Sequence, residues 1–232
     1  MDLPGLRLVY SSIGQAVFNA AMLTEAVQTG AELRRRLERA RDYFARRNQA
    51  WSLWLSEEWL ADAEVRHEAD RIFGECGLTF SSNPPGMLAA RLAAPRRAVP
   101  RLEFRRIGDP LTRIDFCHVM SMAFEGPFAT LLEAYNRNEF WEGAFEGWVG
   151  YHEGRAVTSA CTVATPEAVG LYAVATSPHE QRKGYGEAVM RQAVAHYGDE
   201  RPVVLQSSPA GLSLYQQMGF EIVSNFSIWV SA

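Results

Sequence analysis

Apolar positions along the chain change their period repeatedly, and each change predicts an element. Residues 6–10 form a short apolar stretch, and residues 15–27 predict a helix that ends near Gly30. Leu33, Leu37, Ala40 and Phe44 then recur at helical spacing, so a second helix follows. Its other positions hold Arg34, Arg35, Arg36, Arg39, Arg41, Arg46 and Arg47 with acids interleaved, the pattern of a solvated face. Residues 51–55 read as a strand, 63–76 as a helix, and 77–80 as the turn into another strand. Asn83-Pro84-Pro85-Gly86 breaks the chain, and 87–93 forms one more strand. Pro95, Pro100 and five arginines from 96 to 106 mark a linker. The domain boundary falls there, giving 1–100 and 101–232.

The second half opens at Asp109-Pro110, where Asp can cap a helix and Pro can take its first position, leading to a helix as far as Phe124. Gly126-Pro127 ends it, and another helix covers 128–136. Strands at 148–151, 157–163 and 169–176 are separated by Glu153-Gly154 and Thr165-Pro166-Glu167, which predicts antiparallel hairpins. After Pro178 the period changes: Gly186, Val189, Met190, Ala193, Val194 and Tyr197 define one buried helical stripe. A strand at 203–206, a helix at 210–218 and a closing strand at 221–230 complete a mixed α/β pattern.

Composition narrows the picture. The chain has 232 residues with 47% apolar content, enough for a proper core. Cys76, Cys117 and Cys161 are odd in number and far apart, which fits neither a disulfide framework nor a metal site and predicts a reducing, cytoplasmic setting. The N-terminus lacks a basic leader followed by an apolar run, and no stretch reaches the length of a membrane span, so no membrane partner is expected. Net charge is −4, and the acids concentrate in the second half, against a nucleic-acid partner and compatible with a cationic amine. The only lysine among 23 basic residues is Lys183.

Lys183 lies in the most informative segment, a strand that runs from Val174 and Thr176 through Gln181-Arg182-Lys183-Gly184-Tyr185-Gly186 into the amphipathic helix. Gly184 and Gly186 let backbone N–H groups approach an anion, and the helix start adds free donors and the positive end of its dipole. Arg182 and Lys183 add charge. A helix cap or a close packing contact explains a glycine pair equally well. The segment lacks the spacing of a nucleotide P-loop, and the hairpins before it disfavour a Rossmann unit.

The run 181–186 resembles the Q/R-x-x-G-x-G/A signature of the GNAT family of N-acetyltransferases. Leu205-Gln206-Ser207-Ser208, then Leu214-Tyr215-Gln216-Gln217-Met218-Gly219-Phe220, is similar to that family's later strand, helix and Y-x-x-x-G-F. The resemblance covers about 105–232. It implies a GNAT fold, a mixed, mostly antiparallel sheet with helices on both faces, and an acetyl-CoA-dependent N-acyltransferase acting on a primary amine of a small molecule or peptide through a tetrahedral intermediate. It implies that main-chain groups of Val174 and Thr176 hold the pantetheine arm and thioester. Gln181, Arg182, Lys183, Gly184, Tyr185 and Gly186 would hold the pyrophosphate, and Tyr215 would be the general acid that protonates the thiolate. Ser208 occupies a place where many relatives have a cofactor-contacting Asn. Glu125, in the turn between the first two helices of this half, is where relatives bind substrate and is the candidate base. Glu142, Glu146, His118, His152 and His179 are further candidates, while Cys117 and Cys161 fit core packing. The rival is a non-catalytic acyl-CoA-binding sensor or assembly module. A monomer or homodimer fits either.

The first half repeats part of this order. A strand, a helix and Ile72-Phe73-Gly74-Glu75-Cys76-Gly77-Leu78 parallel 203–206 and 214–220, with Phe73 standing where Tyr215 does. No Q/R-x-x-G-x-G/A precedes it. This half is accordingly expected to be a degenerate GNAT-like copy that neither binds CoA nor catalyses, the alternative being an unrelated helical cap.

Overall fold

The computed structural model describes residues 1–60, 62–198 and 200–231. In chain order the strands and helices are β1 (Asp2–Leu3), β2 (Leu6–Val9), β3 (Ala20–Leu23), α1 (Gly30–Ala45), β4 (Ser52–Ser56), α2 (Ala63–Glu75), β5 (Leu78–Ser82), β6 (Pro85–Ala89), β7 (Glu103–Arg106), α3 (Pro110–Phe124), α4 (Phe128–Tyr135), α5 (Asn138–Trp141), β8 (Phe145–His152), β9 (Arg155–Ala164), β10 (Val169–Thr176), α6 (Tyr185–Val194), β11 (Val203–Gln206), α7 (Leu212–Gln217) and β12 (Glu221–Ser231).

Two compact units result: residues 1–86 together with 222–232, and residues 87–221. In the first, the sheet runs β1-β2-β3-β4-β12, with β5 on the other side of β12. β3 and β4 are parallel, joined through α1, and β12 is antiparallel to both β4 and β5. Leu33, Leu37, Ala40 and Phe44 of α1 pack with Val65, Ala69, Ile72 and Phe73 of α2 in a core over this sheet. Thr29 caps α1 by accepting from the backbone N–H of Glu32 at 3.2 Å.

Apart from one 3-10 turn at Ala16–Phe18, the stretch 15–27 is not helical. Ala20–Leu23 pairs as a strand with β2 and β4, and the fully buried Asn19 anchors its start, its amide donating to the carbonyls of Ile13 and Ala50 while Ser11 N–H donates to it. Strand pairing outweighed local helical spacing here, and the helix begins at the Gly30 where one was expected to end. Arg36 also departs from the solvated face. It is 7% exposed, donates to the carbonyls of Gly5 and Glu25, and pairs with Glu32.

The second unit has the strand order β6-β11-β10-β9-β8-β7, antiparallel from β10 to β7 and parallel between β10 and β11. β7 lies within the expected linker, paired to β8. Asp109 caps α3 by accepting from the N–H groups of Leu111 and Thr112, with Pro110 at the first position. Phe116, Cys117, Val119 and Met120 of α3 share a core with Val149, Tyr151, Cys161 and Ala175. Val189, Met190 and Ala193 of α6 share another with Tyr215, Leu171, Ala160 and Met87. The alternating residues of β9 and β10 thus divide between two cores, which puts helices on both faces of the sheet.

Both units contain the same succession: an antiparallel pair, a crossover helix, a strand parallel to the second of the pair, and a further helix. The two final helices end alike. Cys76 N–H donates to the carbonyls of Ile72 and Phe73, Met218 N–H donates to those of Leu214 and Tyr215, and Gly77 and Gly219 follow at φ 80° and 92°. The units also differ from the boundary at 100: 87–100 lies with the second, and 222–232 with the first. A fragment 87–221 keeps Met87 and Ala89 in its core, whereas 101–232 lacks them. The first fragment is expected to unfold cooperatively on heating, followed by circular dichroism, and the second is not. Equally cooperative melts for both return the boundary to residue 100.

Candidate active site

The site begins with a fault in the sheet. Opposite β9, residues Tyr172 and Ala175 face Cys161 and Ser159, so three steps along β10 span two along β9. That extra residue is a β-bulge, and Ala173 inside it takes φ 50°. Two hydroxyls from β9 hold it open: Ser159 Oγ donates to the Ala173 carbonyl at 3.2 Å and Thr158 Oγ1 to the Ala175 carbonyl at 2.7 Å. On the other edge, β10 pairs with β11 only at Val169–Val203 and Gly170–Val204. Beyond Gly170 the strands have no further paired positions, and Val174 has no partner residue on either neighbour. Neither Thr158 nor Ser159 is distinctive in sequence, because a hydroxyl within a buried strand carries no motif.

Past Thr176 the chain turns through Pro178–Glu180 into the glycine segment. Arg182 and Gly184 both have positive φ, 63° and 84°. Gly184 is the N-cap of α6 and offers no side-chain cap, so the first N–H groups of the helix, from Tyr185 on, have no side-chain acceptor. Gln181 donates its amide to the Thr176 carbonyl at 3.4 Å. Lys183 lies 2.7 Å from Glu180 Oε2, a pairing that raises the lysine pKa and lowers that of the carboxyl. Tyr185 is buried against His152, with ring centroids 5.4 Å apart. A Cβ at Gly184 would lie 3.1 Å from Pro100 Cδ. One at Gly186 would lie 3.6 Å from Thr176 Oγ1 and 3.5 Å from Leu214 Cδ2. Gly186 thereby joins the end of β10, the start of α6 and the helix that carries Tyr215.

Tyr215 is 7% exposed, its ring edge-on to Phe220, and burial raises its pKa. Its hydroxyl makes no hydrogen bond among the described residues. Ser208 is exposed and its hydroxyl accepts from Gly211 N–H at 3.3 Å, which closes the turn before α7. Glu125 ends α3 in a left-handed conformation, φ 53°, exposed, on the face opposite α6. Glu146 is tied to Arg106, Tyr197 and His196, and His118 stacks on Phe128. All three cysteines are buried, and burial pushes the Cys117 thiol up to about 12.

Residues 143–222 match the family model described as Acetyltransferase (GNAT) domain. No curated protein sequence matches the chain. Among solved structures, a GCN5-related N-acetyltransferase from Kribbella flavida is similar with a TM-score of 0.72 at 17% identity, over 98% of this chain and 86% of its own. A GCN5-related N-acetyltransferase from Sphaerobacter thermophilus gives 0.64 at 12% identity, over 97% and 75%. A tandem GNAT protein from the clavulanic acid biosynthesis pathway gives 0.52 at 12% identity, over 91% and 74%. The fold is therefore that of the GNAT acetyltransferases, and residues 143–222 match the model of that family's domain. Among the described residues no helix is long and apolar enough to cross a membrane.

Gly184 is a sensitive position, combining φ 84° with the Pro100 contact. Gly184→Ala is expected to lower unfolding free energy by at least about 1 kcal/mol in urea titration. Gly143→Ala, where a Cβ meets open space, is the control expected to stay near wild type.

Proposed function

We propose that the protein transfers acetyl from acetyl-CoA to a primary amine of a small molecule or peptide. One observation carries this: the unpaired stretch of β10, the uncapped start of α6 and the Tyr215 helix meet around Gly186. The residues fit the cofactor. An open strand edge at Val174 and Thr176 suits an amide-bearing arm, and the loop from Gln181 to Gly186 presents backbone donors to a diphosphate. Bound acetyl-CoA supplies an activated thioester.

The chain's own groups do the rest. Main-chain N–H and C=O groups at Val174 orient the arm. Tyr215 Oη delivers a proton to the departing sulfur, and its burial keeps the phenol protonated at neutral pH and above. Glu125 is proposed to drain the proton from an ammonium acceptor, from the opposite face of the sheet. Lys183, paired with Glu180, acts more in shaping the loop than as a free cation. The first unit is proposed to be a degenerate copy, because it repeats the element order and the helix ending of the second but has Phe73 in place of Tyr215.

Calorimetric titration of acetyl-CoA is expected to give saturable binding to wild type and none to Gly184→Glu, whose carboxylate repels the pyrophosphate. No binding to wild type rejects the proposal. With an acceptor found by amine screening, Tyr215→Phe is expected to lower kcat on the order of 100-fold while leaving acetyl-CoA affinity within about twofold. In wild type the alkaline limb of kcat lies above the ordinary phenol range, since burial disfavours the phenolate that forms as pH rises. Unchanged kcat in Tyr215→Phe removes Tyr215 from the general-acid role, and no turnover on any amine favours the acyl-CoA sensor.

A further inference from the structure

Residues 93–101 carry Arg96, Arg97 and Arg101 and no acid. They join β6 to β7, yet they are fixed at several points on the second unit. Ala93 N–H donates to the Met218 carbonyl at 2.8 Å, and the Ala93 carbonyl accepts from Arg191 of α6 at 2.6 Å. Pro100 sits against Gly184 at the other end of α6, and the next apolar residue, Leu102, reaches within 3.1 Å of a Cβ placed at Gly150 on β8. The segment is therefore a strap laid along α6, from Arg191 back to the glycine loop.

This arrangement bears on charge. Coenzyme A has a diphosphate and a separate 3′-phosphate, but the loop offers few unpaired cations. Lys183 is paired with Glu180, and Arg182 is the remaining formal charge within the loop. The half of the chain that contains the loop is acidic overall. Arg101 follows Pro100 directly, at the usual spacing of about 3.8 Å between successive Cα atoms. It is exposed and makes no ion pair or hydrogen bond among the described residues. Arg155, at the start of β9, acts electrostatically on Glu180 and Lys183 and so lies on the same rim.

We propose that Arg101, held at the glycine loop by the packing of Pro100 on Gly184, binds the 3′-phosphate of coenzyme A. This rests on the acetyl-CoA reading above and adds a phosphate-recognising residue from outside the signature segment. A guanidinium is suited to this task, since its planar fork donates two parallel hydrogen bonds to a phosphate. The diphosphate is left to the backbone N–H groups of the loop.

The test is calorimetry of coenzyme A and 3′-dephospho-coenzyme A with wild type, Arg101→Gln and Arg39→Gln. The last removes an equal charge from an exposed position on α1. Thermal melts confirm that each variant is folded. Arg101→Gln is expected to weaken coenzyme A about five- to tenfold and to leave the dephospho form unchanged, with Arg39→Gln like wild type for both. Equal weakening of both ligands moves Arg101 to the diphosphate and overturns the proposal. No weakening, or the same weakening in Arg39→Gln, overturns it too. Failure of wild type to bind either ligand rejects the acetyl-CoA reading itself, a result distinct from loss of the arginine effect alone.

Discussion

Between Tyr172 and Ala175 the backbone of β10 is forced out of register, with Ala173 in a left-handed conformation that an L-residue adopts at a cost of the order of 1 kcal/mol. The cost is tolerated because Ser159 and Thr158 fix the carbonyls of Ala173 and Ala175. The consequence is geometric. A strand that bulges away from one neighbour after ceasing to pair with the other has main-chain groups to offer to something that is not protein. β10 and β11 are parallel for two paired positions and then unpaired, so α6 starts beside an open edge. The glycine loop, the Tyr215 helix and the strap that ends on Gly184 are all arranged about that opening.

The two units share an order of elements but differ where the chain supplies their strands. The strand that ends the chain completes the first unit's sheet between β4 and β5. Met87 and Ala89, on β6, belong to the core of the second. The first unit is thus not a single stretch of sequence, and the second is one stretch, 87–221, that a boundary near residue 100 would cut. Composition marks the linker because Pro and Arg accumulate there, but it carries no information on which sheet receives the strand before it.

Legibility followed the range of the forces involved. The cap at Asp109-Pro110, the hairpin turns at Glu153-Gly154 and Thr165–Glu167, and the α6 stripe are local, and the corresponding elements form where the sequence places them. The GNAT fold was legible from two short motifs because both encode backbone conformations: Gly184 and Gly219 have φ 84° and 92°. What escaped depends on distant partners. Ala20–Leu23 is a strand because β2 and β4 flank it, and Asn19 is buried because the stretches 11–15 and 49–50 converge on its amide. Arg36 sits on the face where arginines read as solvated, yet the carbonyls of Gly5 and Glu25 draw it in. The bulge left no trace in sequence, since Ala173 is an ordinary residue in an ordinary strand pattern.

The matched helix ends of the two units allow a closer comparison. In both, a residue four positions before the glycine is a buried aromatic, and the backbone around it closes with the same hydrogen bonds. In the first unit that aromatic is Phe73, packed 4.6 Å from Trp229. In the second it is Tyr215, whose hydroxyl makes no hydrogen bond among the described residues. A phenol in a core costs desolvation that a phenyl avoids, so packing alone favours phenylalanine at both positions. Tyr215 belongs to the unit whose β10 and β11 pair at two positions and then part, and Phe73 to the unit whose β3 and β4 pair over three successive positions. The hydroxyl is retained in the unit whose sheet is open and absent from the unit whose sheet is closed, which is the distribution expected if the oxygen serves a ligand and not the core.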